Sequence, residues 1–211
     1  AELFGGGDME PVLAAIPARD RVGQLNALSD RLEAAFGQRP HGAWLTERVW
    51  EATVVPSLGS SGIDYVTVDD YHFLCAGRAL EELNGYFSTE EEGRRLDLFP
   101  ISEQLRYRLP FAPADDAVRY IESLASADTD NPAAAIYFDD IEKFGIWPET
   151  YQWVYEKRWL ENFIEGVLAS STIRPSHFRD FRREVRTRGI VYLPTTSYME
   201  MGEWTLPAAR A

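Results

Sequence analysis

Residues 42–51 read Gly-Ala-Trp-Leu-Thr-Glu-Arg-Val-Trp-Glu. The run Gly42 to Thr46 predicts a short buried strand, and Glu47 falls where that strand stops. Arg48 follows it, and Trp44 and Trp50 flank it. Aromatic faces stack on pyranose rings, and a carboxylate can attack or stabilise a cationic sugar carbon. A carboxylate at a strand's C-terminal end beside tryptophans therefore suits a sugar-processing site. Taken alone, the stretch is equally open to a second reading, a surface glutamate paired with Arg48.

A second stretch, residues 136–148, reads Ile-Tyr-Phe-Asp-Asp-Ile-Glu-Lys-Phe-Gly-Ile-Trp-Pro. It predicts another apolar strand, Ala133 to Phe138, that delivers Asp139 and Asp140. Only a fold can bring acids so distant in sequence together, and a barrel gathers strand ends at one face. A third predicted strand, Ile63 to Val68, ends in Asp69, Asp70 and His72. Asp69 or Asp70 also suits a helix cap, and His72 reads as a structural histidine.

The remaining chain alternates helix and strand. Ala1 to Phe4 predicts a strand, with Gly5-Gly6-Gly7 as a turn that permits close backbone approach. Val22, Leu25, Leu28, Leu32 and Ala35 recur at helical spacing over Asp20 to Phe36, closed by Gly37. Thr53 to Ser61 reads as a short helical segment. Glu81 to Arg95 reads as a polar excursion whose Tyr86 and Phe87 could touch substrate. Leu96 to Ile101 reads as a strand. Asp115 to Ala127 reads as a helix, Asp128 to Pro132 as a turn, and Pro148 to Ser170 as one long helix with an apolar core stripe. Arg174 to Arg188 reads as a helix after Pro175, and Ile190 to Leu193 as a last strand broken by Pro194. This alternation argues for parallel strands with helices outside.

Composition narrows the chemistry. The 211 residues suffice for one sizeable core. A net charge of −13 argues against nucleic acid and anionic membranes as partners. Cys75 is the only cysteine, so no intramolecular disulfide and no Cys-rich zinc site can form. No apolar run is long enough to span a membrane. With no cysteine pairs and no visible signal segment, the expected location is cytoplasmic.

Trp44-Leu-Thr-Glu-Arg-Val-Trp50 and Asp139-Asp-Ile-Glu-Lys-Phe-Gly-Ile-Trp-Pro148 resemble two signature regions of glycoside hydrolase family 57, in particular its 4-α-glucanotransferases and α-amylases. Residues 2–11, 62–73 and 192–207 are similar to the same group. The resemblance implies an incomplete (β/α)7 barrel, with residues 1–211 a single catalytic-barrel fragment of a longer enzyme. It implies an α-1,4-glucan or maltooligosaccharide substrate and no organic cofactor or metal. It assigns Glu47 as nucleophile of a retaining reaction and Asp140 as acid/base, two residues before Glu142. Retention needs the two carboxyls roughly 5–5.5 Å apart. It also assigns Trp44, Trp147 and Glu2 to substrate binding and leaves Asp139 structural. The family's early His-Gln-Pro region and its later Asn/Trp/His-rich region have no counterpart here.

Transfer and hydrolysis share this chemistry, differing in whether a sugar hydroxyl or water attacks the intermediate. Two readings of other classes compete. A metal-dependent hydrolase would use Asp69, Asp70 and His72, although three histidines are few for such a site. A non-catalytic glucan-binding fragment would retain affinity without turnover.

Overall fold

The computed structural model describes residues 1–126 and 131–207. It divides into two compact units: residues 1–100 with 177–211, and residues 101–176.

The first unit is α/β. Its strands are β1 (Phe4–Gly5), β2 (Gly42–Trp44), β3 (Tyr65–Asp69), β4 (Phe87–Glu91) and β5 (Arg94–Ile101), the last running up to the boundary between the units. They form one sheet in the order β1-β2-β3-β5-β4. β1, β2 and β3 are parallel, with Phe4 opposite Gly42 and Ala43 opposite Val66. Gly42 permits this close pairing, because a Cβ there would lie 2.4 Å from the Tyr65 ring. The connections are α1 (Ala18–Phe36) between β1 and β2, and α2 (Val55–Ser60) between β2 and β3. α1 ends where Gly37 takes a left-handed φ of 70° and bonds back to Glu33. The core joins Leu25, Ala43, Leu45, Trp50, Leu58, Val66, Val68 and Phe73. Apolar area removed from water on both sheet faces is what holds such a layer together.

The predicted polar excursion at Glu81 to Arg95 is instead the arm of a hairpin. β4 pairs antiparallel with β5 through a turn in which Glu92 and Gly93 both have positive φ. Tyr86 and Phe87 are consequently buried in protein and not presented to a ligand. The predicted last strand is reduced to a bridge between Ile190 and Ser88. Its side chains still alternate, with Val191 and Leu193 buried and Ile190 and Tyr192 exposed, but Pro194 lacks the N–H needed to extend the ladder. Two helices complete the unit, α7 (Phe178–Glu184) and α8 (Met199–Trp204); between β3 and the hairpin lies α3 (Asp70–Cys75).

The second unit contains α4 (Glu103–Arg108), α5 (Ala114–Ser123) and α6 (Trp159–Ala169), around Leu105, Leu109, Ala117 and Trp159. Two expectations fail here. Ala133 to Phe138 does not form a strand. Its three alanines have little preference for a sheet, and Ile136 meets the neighbouring chain through its carbonyl, which accepts from Ser102 N–H at 2.9 Å. The single helix predicted over Pro148 to Ser170 is broken. A wide helical turn covers Gln152–Glu156, and Arg158 is left-handed at φ 58° before α6 begins. The Trp153 and Trp159 indoles donate to Pro110 and Ala112 carbonyls at 2.5 and 2.6 Å. In a regular helix those side chains would point about 120° apart, so the break lets both reach one loop. Of the expected core stripe, Val154 and Trp159 are buried while Tyr151 and Tyr155 are exposed. The turn predicted at Asp128 to Pro132 and the end of the helix predicted to reach Ala127 fall largely outside the described residues.

Among the described residues the sheet has five strands, with β1 and β4 at its two ends. The α/β class and the parallel strands agree with expectation.

Candidate active site

Glu47 stands just past the C-terminal end of β2, in a single 3-10 turn, Thr46–Arg48. Its backbone is left-handed, φ 54° and ψ 22°, and Arg48 is left-handed too, at φ 50°. Two consecutive non-glycine residues in this region cost roughly 1–2 kcal/mol each, so the surroundings must impose the turn. Three side chains do so. The Ser197 hydroxyl donates to the Glu47 carbonyl. The Arg48 carbonyl lies 2.9 Å from His72 Nε2, and His72 Nδ1 lies 3.0 Å from the Asp69 carbonyl. The Tyr198 hydroxyl donates to Glu47 Oε2 at 2.6 Å.

The chain carrying Ser197 and Tyr198 is itself tied to the turn. Trp50 and Thr196 form an antiparallel bridge, with N–H to O=C distances of 2.8 and 3.2 Å. Arg48 does not lie on the surface as a partner for Glu47. It is 4% exposed, with its guanidinium 4.0 Å from the Tyr198 ring centre and 5.5 Å from that of Trp44. Glu47 is exposed, beside this buried cation–aromatic layer. Burial, then the bond to Glu47, push the Tyr198 phenol up to about 12, so it stays a donor at neutral pH.

The Asp69–His72 cluster supports this turn. Asp69 caps α3 by accepting from Tyr71 N–H, and His72 is fully buried. Burial lowers the His72 pKa from its ordinary 6.5, against the pull of Asp69 and the carbonyls it meets. Among the described residues, no group of three or more His, Cys, Asp or Glu side chains is placed to hold a metal ion.

Glu2 lies at the other end of the parallel strands, where β1 begins. Its carboxylate accepts from the Tyr65 hydroxyl and from the backbone N–H groups of Phe178 and Arg179, at 2.8 and 3.0 Å. It braces the start of α7.

In the second unit, Asp139 and Asp140 have separate fates. The Asp139 side chain is wholly buried and pairs with Lys143, with Arg106 3.6 Å away. Lys143 also donates to the Arg106 carbonyl at 3.1 Å. Asp140 is partly exposed at the start of the turn Ile141–Phe144. Burial, with the charges of Asp139 and Asp140, pushes the Tyr137 phenol well above its usual range. Trp147 follows that turn, its N–H bonded to the Glu142 carbonyl at 3.0 Å. It is 40% exposed, and its ring stacks on Phe111 at 6.3 Å and 21°. Thus Glu47 and Trp44 belong to one unit, and Asp140 and Trp147 to the other.

Sequence reasoning missed Tyr198 and Ser197 as parts of the site. They sit in a stretch with no periodicity, and only the Trp50–Thr196 bridge brings them to Glu47.

The sequence profile of glycosyl hydrolase family 57 matches residues 1–194. This chain belongs to glycosyl hydrolase family 57. Over 210 residues it is 46% identical to a 4-alpha-glucanotransferase of Thermococcus kodakarensis and to an alpha-amylase of Pyrococcus furiosus. In each case the match covers the whole chain and 32% of the relative. The crystal structure of the 4-alpha-glucanotransferase from Thermococcus litoralis superposes with a TM-score of 0.93 at 46% identity, over 99% of this chain and 32% of that one. A family 57 branching enzyme from Pyrococcus horikoshii, 16% identical with a TM-score of 0.71, shares the fold. The chain therefore spans about a third of the length of these 46%-identical relatives. No helix among its described residues is long and apolar enough to cross a membrane.

Proposed function

We propose that these residues are the catalytic segment of a longer α-glucan-active enzyme, a 4-α-glucanotransferase, and part of its incomplete (β/α)7 barrel. Glu47 is the nucleophile and Asp140 the acid/base of a retaining reaction. The observation that carries this reading is the Glu47 turn. A strained backbone, held by Ser197 and His72 and aimed by Tyr198, presents an exposed carboxylate at the C-terminal end of parallel strands. Strain kept in place at such cost marks functional positions more often than surface loops.

In the first step a Glu47 oxygen attacks the anomeric carbon, while Asp140 protonates the departing glycosidic oxygen. In the second, a sugar hydroxyl attacks that carbon and returns its proton to Asp140, and the bond to Glu47 breaks. Asp139, locked between Lys143 and Arg106, is structural and supports Asp140 through the backbone. Trp44, partly exposed, and Trp147, 40% exposed, are proposed to stack on sugar rings. For Glu2 we propose bracing of α7 in place of direct sugar contact, because three protein donors occupy its carboxylate. The substrate is an α-1,4-glucan or maltooligosaccharide, no cofactor takes part, and the location is the cytoplasm.

The relatives bear both 4-alpha-glucanotransferase and alpha-amylase names at the same identity, so hydrolysis is the second reading; the close superposition on a glucanotransferase favours transfer. Mass spectrometry of maltooligosaccharides incubated with the full polypeptide carrying residues 1–211 tests both. A ladder of longer and shorter oligomers supports transfer. Short products alone mean hydrolysis, and unchanged sugars refute the substrate assignment. Glu47→Ala should abolish the ladder; retained turnover would refute the nucleophile.

A further inference from the structure

We propose that Tyr198 selects the attacking oxygen of Glu47 and speeds its release in the second step. This rests on Glu47 being the nucleophile. The Tyr198 hydroxyl donates to Oε2 at 2.6 Å, and Oε1 has no partner among the described residues. Glu47 is exposed whereas Tyr198 is 5% exposed. The phenol is thus a fixed, largely dry donor on one oxygen of an exposed carboxylate.

Tyr198 is held there independently of Glu47. Arg48 covers its ring face, Trp204 meets it edge-on at 5.9 Å, and the Trp50–Thr196 bridge anchors the backbone two residues before it. A donor that does not move supplies its bond without reorganisation.

The consequence is asymmetric between the two steps. In the covalent intermediate Oε1 is bonded to the sugar carbon, and Oε2 is an ester carbonyl, a weak acceptor. When the acceptor hydroxyl attacks, the carbon–Oε1 bond breaks, its electron pair returns to Glu47, and negative charge grows over both oxygens. The Tyr198 bond strengthens as that charge appears. Tyr198 keeps its proton throughout, and Asp140 takes the proton of the acceptor. Tyr198 is therefore a positioning residue whose loss slows breakdown of the intermediate more than its formation.

The test uses the full polypeptide, with protein mass spectra quenched during turnover on a maltooligosaccharide. Tyr198→Phe keeps the ring that Arg48 covers. The expected result is a kcat about 10- to 100-fold lower, a KM that falls with it, and a glycosylated fraction that rises. 3-Fluorotyrosine at position 198, a stronger donor of the same shape, should lower the glycosylated fraction, and it decides the matter if the Phe variant does not fold. Ser197→Ala, which frees the carbonyl but not the carboxylate, should not raise that fraction. Wild-type kinetics in Tyr198→Phe, or a lower kcat with unchanged KM and no added glycosylation, would overturn the proposal. Full turnover in Glu47→Ala would instead remove the reading beneath it.

Discussion

His72 Nε2 lies 2.9 Å from the carbonyl oxygen of Arg48. Through this contact a residue wholly inside the core reaches the backbone of the turn that carries Glu47. The other ring nitrogen meets the Asp69 carbonyl at the head of α3. One imidazole thus fastens the ends of β2 and β3 together, at the edge where the candidate nucleophile stands.

Removing that imidazole should cost stability. His72→Leu removes the one N–H of the neutral ring and so leaves one of the two carbonyls it meets without its donor in a place water does not reach, at about 1–3 kcal/mol. Urea denaturation followed by tryptophan fluorescence should show the midpoint drop. An unchanged midpoint would mean that the turn is held without His72.

The same residue makes stability depend on pH. Burial keeps the folded-state pKa of His72 below its ordinary 6.5, so the unfolded chain takes up the proton first. The contribution is fully present above about pH 6.5 and is lost as the pH falls through the folded-state value. Wild-type denaturation midpoints should decrease from about pH 7.5 to about pH 5, and His72→Gln should flatten that part of the profile. An equal slope in both proteins would assign the effect to other groups.

The strain at Glu47 separates stability from turnover. Glu47→Ala and Glu47→Gly both remove the carboxylate and its bond to Tyr198. Only glycine relieves the positive φ of 54°, so the Gly variant should be the more stable by about 1 kcal/mol. Neither should turn over substrate. Thermal melts that rank Ala above Gly would show that the left-handed turn is not under strain.

How much of this was legible in the sequence follows from how local each signal is. β2, α1 and β3 could be read because each carries its own pattern and its own stop, such as Gly37 after α1 and Asp69 at the end of β3. The position of Glu47 at a strand end was legible for the same reason. The left-handed turn was not, because no glycine announces it; it is imposed by Ser197, Tyr198 and His72 from outside. Arg48 looked like a surface partner, and only its burial between Trp44 and Tyr198 shows otherwise. In the second unit, indole bonds from Trp153 and Trp159 to the loop at Pro110–Ala112 override the helical pattern over Pro148 to Ser170. Ala133 to Phe138 has the composition of a short apolar strand but meets β5's successor by its Ile136 carbonyl. Tertiary contacts decided each of these, and periodicity does not encode them.

Asp139 and Asp140 should part company under mutation. Asp139→Ala strands Lys143 and Arg106 near a buried site, a loss of about 3–5 kcal/mol that should unfold or greatly destabilise the second unit. Asp140→Asn, at a partly exposed position, should leave the melting temperature within a few degrees and abolish turnover. Calorimetry beside the maltooligosaccharide assay checks both. The reverse pattern would exchange the two roles.

The most direct measurement is peptide mapping of the full polypeptide after it is trapped with a slow-turnover fluorinated α-glucosyl donor. If Glu47 is the nucleophile, the peptide covering residues 42–51 carries one glycosyl group, on Glu47, and Glu47→Gln carries none. Glycosylation of Asp140 or of another side chain, or full turnover by the Glu47→Gln enzyme, would contradict it.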